Sequence, residues 1–126
     1  MSLDVYLDGP LVSRTCQCTE CGNRHETKPE SVTYWGANIT HNLARMAAEA
    51  GIYGIVWHPE DNGITHANNL IVPLDAGIAR LKADRKRFEA FNDPDGWGLY
   101  EHFVPWLERY LAVCREYPDA TVRASR

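Results

Sequence analysis

The sequence has no long apolar run and no excess of positive charge, and each absence excludes a class of protein. No hydrophobic segment approaches the ~20 residues of a membrane helix, and the first residues carry neither the basic nor the apolar part of a signal peptide. Thirteen Lys and Arg against seventeen Asp and Glu leave a net charge of -4, which argues against a protein that wraps nucleic acid by neutralising phosphates. We therefore expect a cytoplasmic protein that neither enters a membrane nor depends on nucleic acid.

Familiar catalytic motifs are also missing. The sequence contains no Gly-rich phosphate loop, no G-x-S-x-G elbow and no H-E-x-x-H. Five histidines permit acid–base chemistry only if folding brings them beside Glu60, Asp61 or Glu101. The sequence therefore favours binding over catalysis, with a metal-dependent hydrolase as an alternative.

The chain's length of 126 residues fits a single domain spanning residues 1–126. Alternating apolar and polar residues predict a strand at 3–7, and β-branched and aromatic residues predict another at 31–35. Residues 120–124 form a candidate terminal strand, which we expect to pair with the first. Residues 52–57 fit either a strand or a buried loop.

Helical periodicity marks three further segments. The first helix is expected to begin at an Asn38 N-cap and to end before Gly51. The second lies between residues 65 and 88, and Pro73 either occupies its first turn or kinks it. The last runs from about residue 99 to just before Pro118. The sum is an α+β fold: three main helices packed on a small sheet formed by N- and C-terminal strands, with a Cys-rich knuckle.

The knuckle is predicted from a cysteine cluster in the polar segment 16–29. A C-x-x-C pair followed by glycine suits tetrahedral zinc, because the turn sets two thiolates on one side. The nearest further donors complete a Cys3His set, although His41 or His58 could replace a member and reduced thiols or a redox pair remain alternatives. Zinc would also offset the cost of ordering a stretch that buries little. The ligands of this predicted structural zinc are Cys16, Cys18, Cys21 and His25.

A second candidate site combines tryptophans with polar side chains. Hydrogen-bonding residues at a helix start beside an indole could hold a polar or anionic ligand, although ordinary capping also explains them. Two other segments carry tryptophan among polar residues, where the indole either fills the core or meets a partner. The candidate ligand-binding residues are Trp35, Asn38, His41, Asn42, Trp57 and Trp97.

A run of basic residues at Arg80, Lys82, Arg85, Lys86 and Arg87 offers a different interpretation. The run lies in the last turns of the second predicted helix, where cations complement the macrodipole and usually form a solvated face. The alternative function is an interaction module that docks on host machinery or nucleic acid through this stretch.

The opening Met-Ser-Leu-Asp-Val-Tyr, the segment Asn38-Ile39-Thr40-His41-Asn42 and the turn Asp95-Gly96-Trp97-Gly98 resemble a family of small, uncharacterised bacteriophage and prophage proteins. Those proteins begin with a similar MS[LY]D strand and carry an N-[IV]-T-[HY]-N motif at a helix start. The resemblance implies a phage-type accessory protein in the host cell, but no particular activity. Relatives often have tyrosine at position 41, so the resemblance points to Asn38, Thr40 and Asn42 as the residues with a shared role. Many relatives also lack the cysteines, so the zinc knuckle would be an elaboration of this member and not the foundation of the fold. We expect a zinc-stabilised protein that binds a small polar, nucleotide-like ligand or a host protein.

Overall fold

The computed structural model describes residues 2–12, 15–17, 24–26 and 30–126, with side chains for residues 2–9 and 32–126. Its strands are β1 (Ser2–Val12), β2 (Thr15–Gln17), β3 (Arg24–Glu26), β4 (Glu30–Thr40) and β5 (Thr121–Ser125). Its α-helices are α1 (Ala44–Glu49), α2 (Tyr53–Trp57), α3 (Ala67–Ala83), α4 (Arg85–Glu89) and α5 (Tyr100–Glu116). The predicted α+β class is confirmed. No helix in these ranges is both long and apolar enough to cross a bilayer.

The main sheet is antiparallel with the order β4-β1-β5, so β1 is the central strand. The predicted pairing of the first and last strands is confirmed, with Val5 opposite Ala124 and Leu7 opposite Val122. Leu3, Val5 and Leu7 are fully buried, because alternate side chains of a strand face the same side of the sheet. The polar residues between them lie on the other face.

The same alternation separates two residues that the sequence places close together. Leu7 is paired with Trp35, whereas Asp4 is paired with Asn38. Trp35 therefore faces the core, where its ring lies 5.2 Å from that of Tyr110. Asn38 lies on the opposite, exposed face of the sheet.

The predicted N-cap at Asn38 is wrong. Asn38 and Ile39 are still paired with β1, and β4 ends only at Thr40. Thr40 makes the cap instead: its hydroxyl oxygen accepts a hydrogen bond from the backbone N–H of Asn42 at 3.3 Å. A 3-10 turn (His41–Leu43) then leads into α1, which ends before Gly51 at a φ of 77°, as the sequence predicts.

Residues 53–57 form the short helix α2, so neither a strand nor a loop describes them. Ile52, Val56 and Trp57 are buried with the spacing of a helical face. The segment is too short for periodicity alone to distinguish helix from strand.

Helix α3 begins at Ala67, after an N-cap at His66. Pro73 therefore lies inside the helix and not in its first turn. The helix ends at Ala83, and Asp84, with φ -141° and ψ 62°, separates it from α4. Helices α3 and α5 pack together over the buried face of the sheet, and their core-facing residues include Leu70, Leu74, Leu81, Phe103 and Leu107.

Candidate ligand-binding site

The exposed face of the β1–β4 pair forms one wall of a surface cavity. Ser2 is paired with Thr40 across the two strands, and Asp4 is paired with Asn38. A cavity of about 400 Å³ lies against this face. It is lined by Ser2, Asn38 and Thr40 from the strands and by Asn42 and Trp97. Small-molecule sites in proteins span about 300–1,000 Å³, so the cavity is large enough for a small ligand.

Each of the two asparagine amides of this cavity is oriented by at least one acceptor that cannot donate. The Nδ2 of Asn38 donates to Oδ1 of Asp4 at 2.7 Å and to Oγ of Ser2 at 2.7 Å. The Nδ2 of Asn42 donates to Oδ2 of Asp93 and to the backbone oxygen of Trp97, both at 2.7 Å. Because carboxylates and carbonyls only accept, these contacts fix which amide atom is nitrogen. Within the described part of the chain, neither amide oxygen has a partner.

Trp97 is presented by a loop with a dense set of internal hydrogen bonds. The backbone N–H of Asp93 donates to the oxygen of Gly98 at 3.1 Å, and Oδ1 of Asp93 accepts from the N–H of Asp95 at 3.0 Å. Gly96 and Gly98 have φ values of 80° and 132°, a region that favours glycine. The indole of Trp97 remains 71% exposed. A tightly turned loop therefore presents a large aromatic surface beside polar groups.

Trp57 has a different role from Trp97. Its ring is only 2% exposed and is stacked with that of Tyr53 at 5.5 Å. Its Nε1 donates to Nδ1 of His41 at 2.9 Å. An indole N–H can only donate, so Nδ1 of His41 must carry the lone pair, and the neutral ring has its proton on Nε2.

His41 lines a second cavity, of about 430 Å³, that shares Asn42 with the first. Arg45 and Asp93 add charged groups of opposite sign to its wall. The remaining lining residues are Ala90, Phe91, Asn92 and Pro94. The two cavities thus meet at Asn42.

The structure brings together four of the six predicted ligand-binding residues: Asn38, His41, Asn42 and Trp97. Trp35 and Trp57 instead belong to the packed interior. Neither Arg45 nor Asp93 is among the site residues that the sequence predicts. Arg45 lies four residues after His41, a helical spacing that could have found it, whereas Asp93 carries no local signal because its partner Asn42 is 51 residues away.

Most of the basic run is engaged within the protein. Arg80 donates through Nε to the backbone oxygen of Ala50 at 2.7 Å, and Lys82 lies 3.2 Å from Glu108. Arg85 is paired with Glu89, and Arg87 with Glu49. These internal partners favour a structural role for the run over the docking alternative.

His58, Glu60 and Asp61 are the group of possible metal ligands that the described ranges bring within reach of one another. Nε2 of His58 is 3.1 Å from the hydroxyl of Tyr53. Glu60 accepts from Arg126 at 2.6 Å, and its own backbone N–H, together with Arg126, lowers the pKa of this carboxyl. The protein itself thus satisfies two of the three groups, which does not favour the hydrolase alternative.

The predicted zinc ligands lie in and between β2 and β3. Cys18 and Cys21 fall outside the described residues, while the backbone of Cys16 and His25 lies inside them. Cys16 and His25 are direct partners in the antiparallel register of the two strands.

Comparisons of the chain with protein-family models, curated proteins and solved structures returned no match.

Proposed function

We propose that this protein is a non-catalytic binding protein whose ligand is a small polar molecule with a flat ring. The ligand occupies the cavity between the exposed face of the β1–β4 pair and Trp97. The phage-type accessory role inside a host cell, implied by the family resemblance, is part of the proposal.

The observation that carries the proposal is the exposure of Trp97. Trp97 is 71% exposed, so much of its aromatic surface lies in water, where a flat ligand can stack on it. Among the residues that the structure describes, Trp97 joins the hydrogen bonds of its loop through its backbone oxygen and not through its side chain. Its side chain is therefore available for stacking without loosening the loop.

The polar side of the cavity supports a hydrogen-bonding ring in particular. The amide nitrogens of Asn38 and Asn42 are occupied within the protein, so their oxygens can accept from ligand N–H groups. A nucleobase combines such donors with a flat face that stacks on an aromatic side chain. A sugar also donates hydrogen bonds, which makes it the natural comparison ligand.

Calorimetric titration with adenosine, guanosine, cytidine, uridine, glucose and galactose tests the proposal. We expect at least one nucleoside to bind, and Trp97→Ala to weaken its binding by about tenfold or more, because base stacking on an aromatic ring contributes roughly 1–3 kcal/mol. Val72→Ala, which removes another exposed apolar side chain, 76% exposed and outside the cavity, should leave affinity unchanged. Binding that ignores Trp97→Ala, or no binding by any probe, would overturn the proposal and favour a host protein as the partner.

We also propose that zinc holds the segment that contains β2 and β3, with Cys16, Cys18, Cys21 and His25 as ligands. The support is the cysteine spacing together with the backbone register of the two strands, in which Cys16 is the partner of His25. A closed four-ligand site of this kind is structural, since it leaves no position for a substrate. Zinc binding contributes on the order of 10 kcal/mol to such small sites.

Elemental analysis and thiol counting test the zinc site together. We expect one zinc per chain and no reaction with a thiol reagent until a strong chelator is added, when three cysteines should react. The fourth, Cys114, is fully buried, and burial raises the pKa of its thiol to about 12, so it should react only after unfolding. Three reactive cysteines before chelation, in a zinc-free protein, would contradict the proposal.

A further inference from the structure

The second cavity contains a positive charge, that of Arg45, which the ring-binding cavity lacks. We propose that it binds the phosphate of the same ligand, so that the ligand class is a nucleoside phosphate. This inference rests on the proposed function, because it assigns the second half of a ligand whose ring lies against Trp97.

Arg45 is the first observation behind this assignment. Its guanidinium has no hydrogen-bond or ion-pair partner among the residues that the structure describes, unlike its neighbours Arg80 and Arg87. Lys86 and Arg109 are also unpaired within those ranges, but of the three only Arg45 lines this cavity. An uncommitted guanidinium is well suited to a phosphate, since its fork of N–H groups matches two phosphate oxygens.

His41 supplies the second observation. Trp57 occupies Nδ1 of His41 at 2.9 Å, so the neutral ring keeps its proton on Nε2, which has no partner among the described side chains. The buried indole thereby holds the imidazole as a hydrogen-bond donor beside Arg45, four residues further along the chain. Two donors on one wall of a cavity are the arrangement that an anionic group requires.

Asp93 lies on the same cavity and would repel a phosphate placed against it. Both of its carboxylate oxygens already accept a hydrogen bond, from Asn42 and from the N–H of Asp95. A carboxylate can accept more than two hydrogen bonds, and ligand hydroxyls are suitable donors. The chemistry therefore places the phosphate on the side of Arg45 and His41, with the ribose hydroxyls on the side of Asp93.

Asn42 explains why both cavities serve one ligand. It lines both of them, and its Nδ2 joins Asp93 of the second cavity to Trp97 of the first at 2.7 Å each. A ring stacked on Trp97 and a phosphate at Arg45 thus lie on either side of one asparagine. This is the order of groups in a nucleotide, where the ribose connects the base to the phosphate.

The test compares each of the four nucleosides with its own 5′-monophosphate, and with inorganic phosphate alone, by calorimetric titration. We expect the monophosphate to bind about tenfold or more tightly than its nucleoside, which corresponds to one charge-assisted contact. Arg45→Gln should remove most of this difference, because only His41 then remains to donate to the phosphate. Arg109→Gln, which removes the same charge from an exposed position of α5, should preserve it.

The remaining outcomes separate the two proposals. Equal affinity for nucleoside and monophosphate, with Trp97→Ala still weakening both, would overturn the phosphate subsite and leave the proposed function intact. If neither compound binds, the proposed function fails and the subsite fails with it. If inorganic phosphate binds as tightly as the monophosphates, the single-ligand assignment is overturned. A pentanucleotide is the probe for nucleic acid. If it binds more tightly than every mononucleotide, the bound nucleotide belongs to a nucleic acid and is not a free nucleotide.

Discussion

Nε1 of Trp57 donates a hydrogen bond to Nδ1 of His41 across 2.9 Å, and this contact joins the interior of the protein to the candidate site. Trp57 is buried against Tyr53 and Phe103, whereas His41 lines a surface cavity. The packed interior thus determines which imidazole nitrogen faces outward as a donor. A residue can therefore influence ligand binding without touching the ligand.

Trp57→Phe should change both the stability of the protein and the tautomer of His41. We expect a loss of about 2 kcal/mol, because the smaller ring leaves a void and the imidazole loses its donor. Long-range proton–nitrogen spectra should show Nδ1 of His41 unprotonated in the parent protein and a mixture of tautomers in the variant. Trp97→Phe, which alters an exposed ring, should leave both properties unchanged. A parent spectrum with Nδ1 protonated would contradict the contact.

The sequence predicted those elements whose residue pattern is local, and it failed where distant strands decide the structure. The alternation of β1 and the apolar stripe of α5 repeat over several turns or pleats, so the sequence predicts both elements. The boundary at Asn38 was wrong because its local residues suit a helix cap, while pairing with β1 extends the strand to Thr40. That competition depends on a strand more than 30 residues away.

The residues of the candidate site were likewise predicted only where the signal was local. Asn38, His41 and Asn42 lie within five residues and were found by their types, and an exposed Trp97 was one of two interpretations of its loop. The contribution of Asp93 depends on a hydrogen bond across 51 positions, and no local pattern reports it. Trp35 lies on the opposite face of the sheet from Asn38, because the two-residue period of a strand, and not proximity in sequence, decides which face a side chain occupies.

Asn42→Ala should loosen the loop that presents Trp97. The variant loses the hydrogen bonds to Asp93 and to the oxygen of Trp97, and the β-carbon that remains should still pack close to Gly98. We expect a cost of about 1 kcal/mol, since each exposed hydrogen bond contributes little net free energy. Amide hydrogen exchange of residues 93–98 should accelerate more than that of α5. Asn68→Ala, an exposed asparagine of α3, should leave the exchange of this loop unchanged.

The ion pair between Asp8 and Arg123 should stabilise the protein at neutral pH and be lost in acid. Arg123 donates through Nε to Oδ2 of Asp8 at 2.8 Å, and Thr33 donates to Oδ1 at 2.9 Å. The hydrogen bond from Arg123 is the main reason that the pKa of this carboxyl lies below its ordinary value, although burial opposes the shift. A lowered pKa in the folded state stabilises the protein above the unfolded value, about 3.9. This contribution is lost as the pH falls through the folded pKa.

Denaturant titrations of the parent and of Asp8→Asn between pH 7 and pH 2 measure this effect. The parent should lose more free energy of unfolding than the variant as the pH falls below about 4. Asp119→Asn, an exposed carboxylate on the turn before β5, should follow the parent curve. Parallel curves for the parent and Asp8→Asn would show that this ion pair does not contribute to acid sensitivity.

Gly77→Ala should destabilise the protein even though alanine is the better helix former. Gly77 is buried in α3, and a β-carbon there would lie 2.2 Å from Cγ2 of Ile52, which is far inside van der Waals contact. The gain in helix propensity is about 1 kcal/mol, while overpacking a core typically costs about 1–3 kcal/mol. We therefore expect a net loss of stability in chemical denaturation. Ile52→Leu removes the Cγ2 methyl group that a β-carbon at position 77 would meet. The double variant Gly77→Ala, Ile52→Leu should therefore be more stable than the sum of the two single effects on the free energy of unfolding predicts. Additive effects would instead indicate that α3 shifts to avoid Ile52.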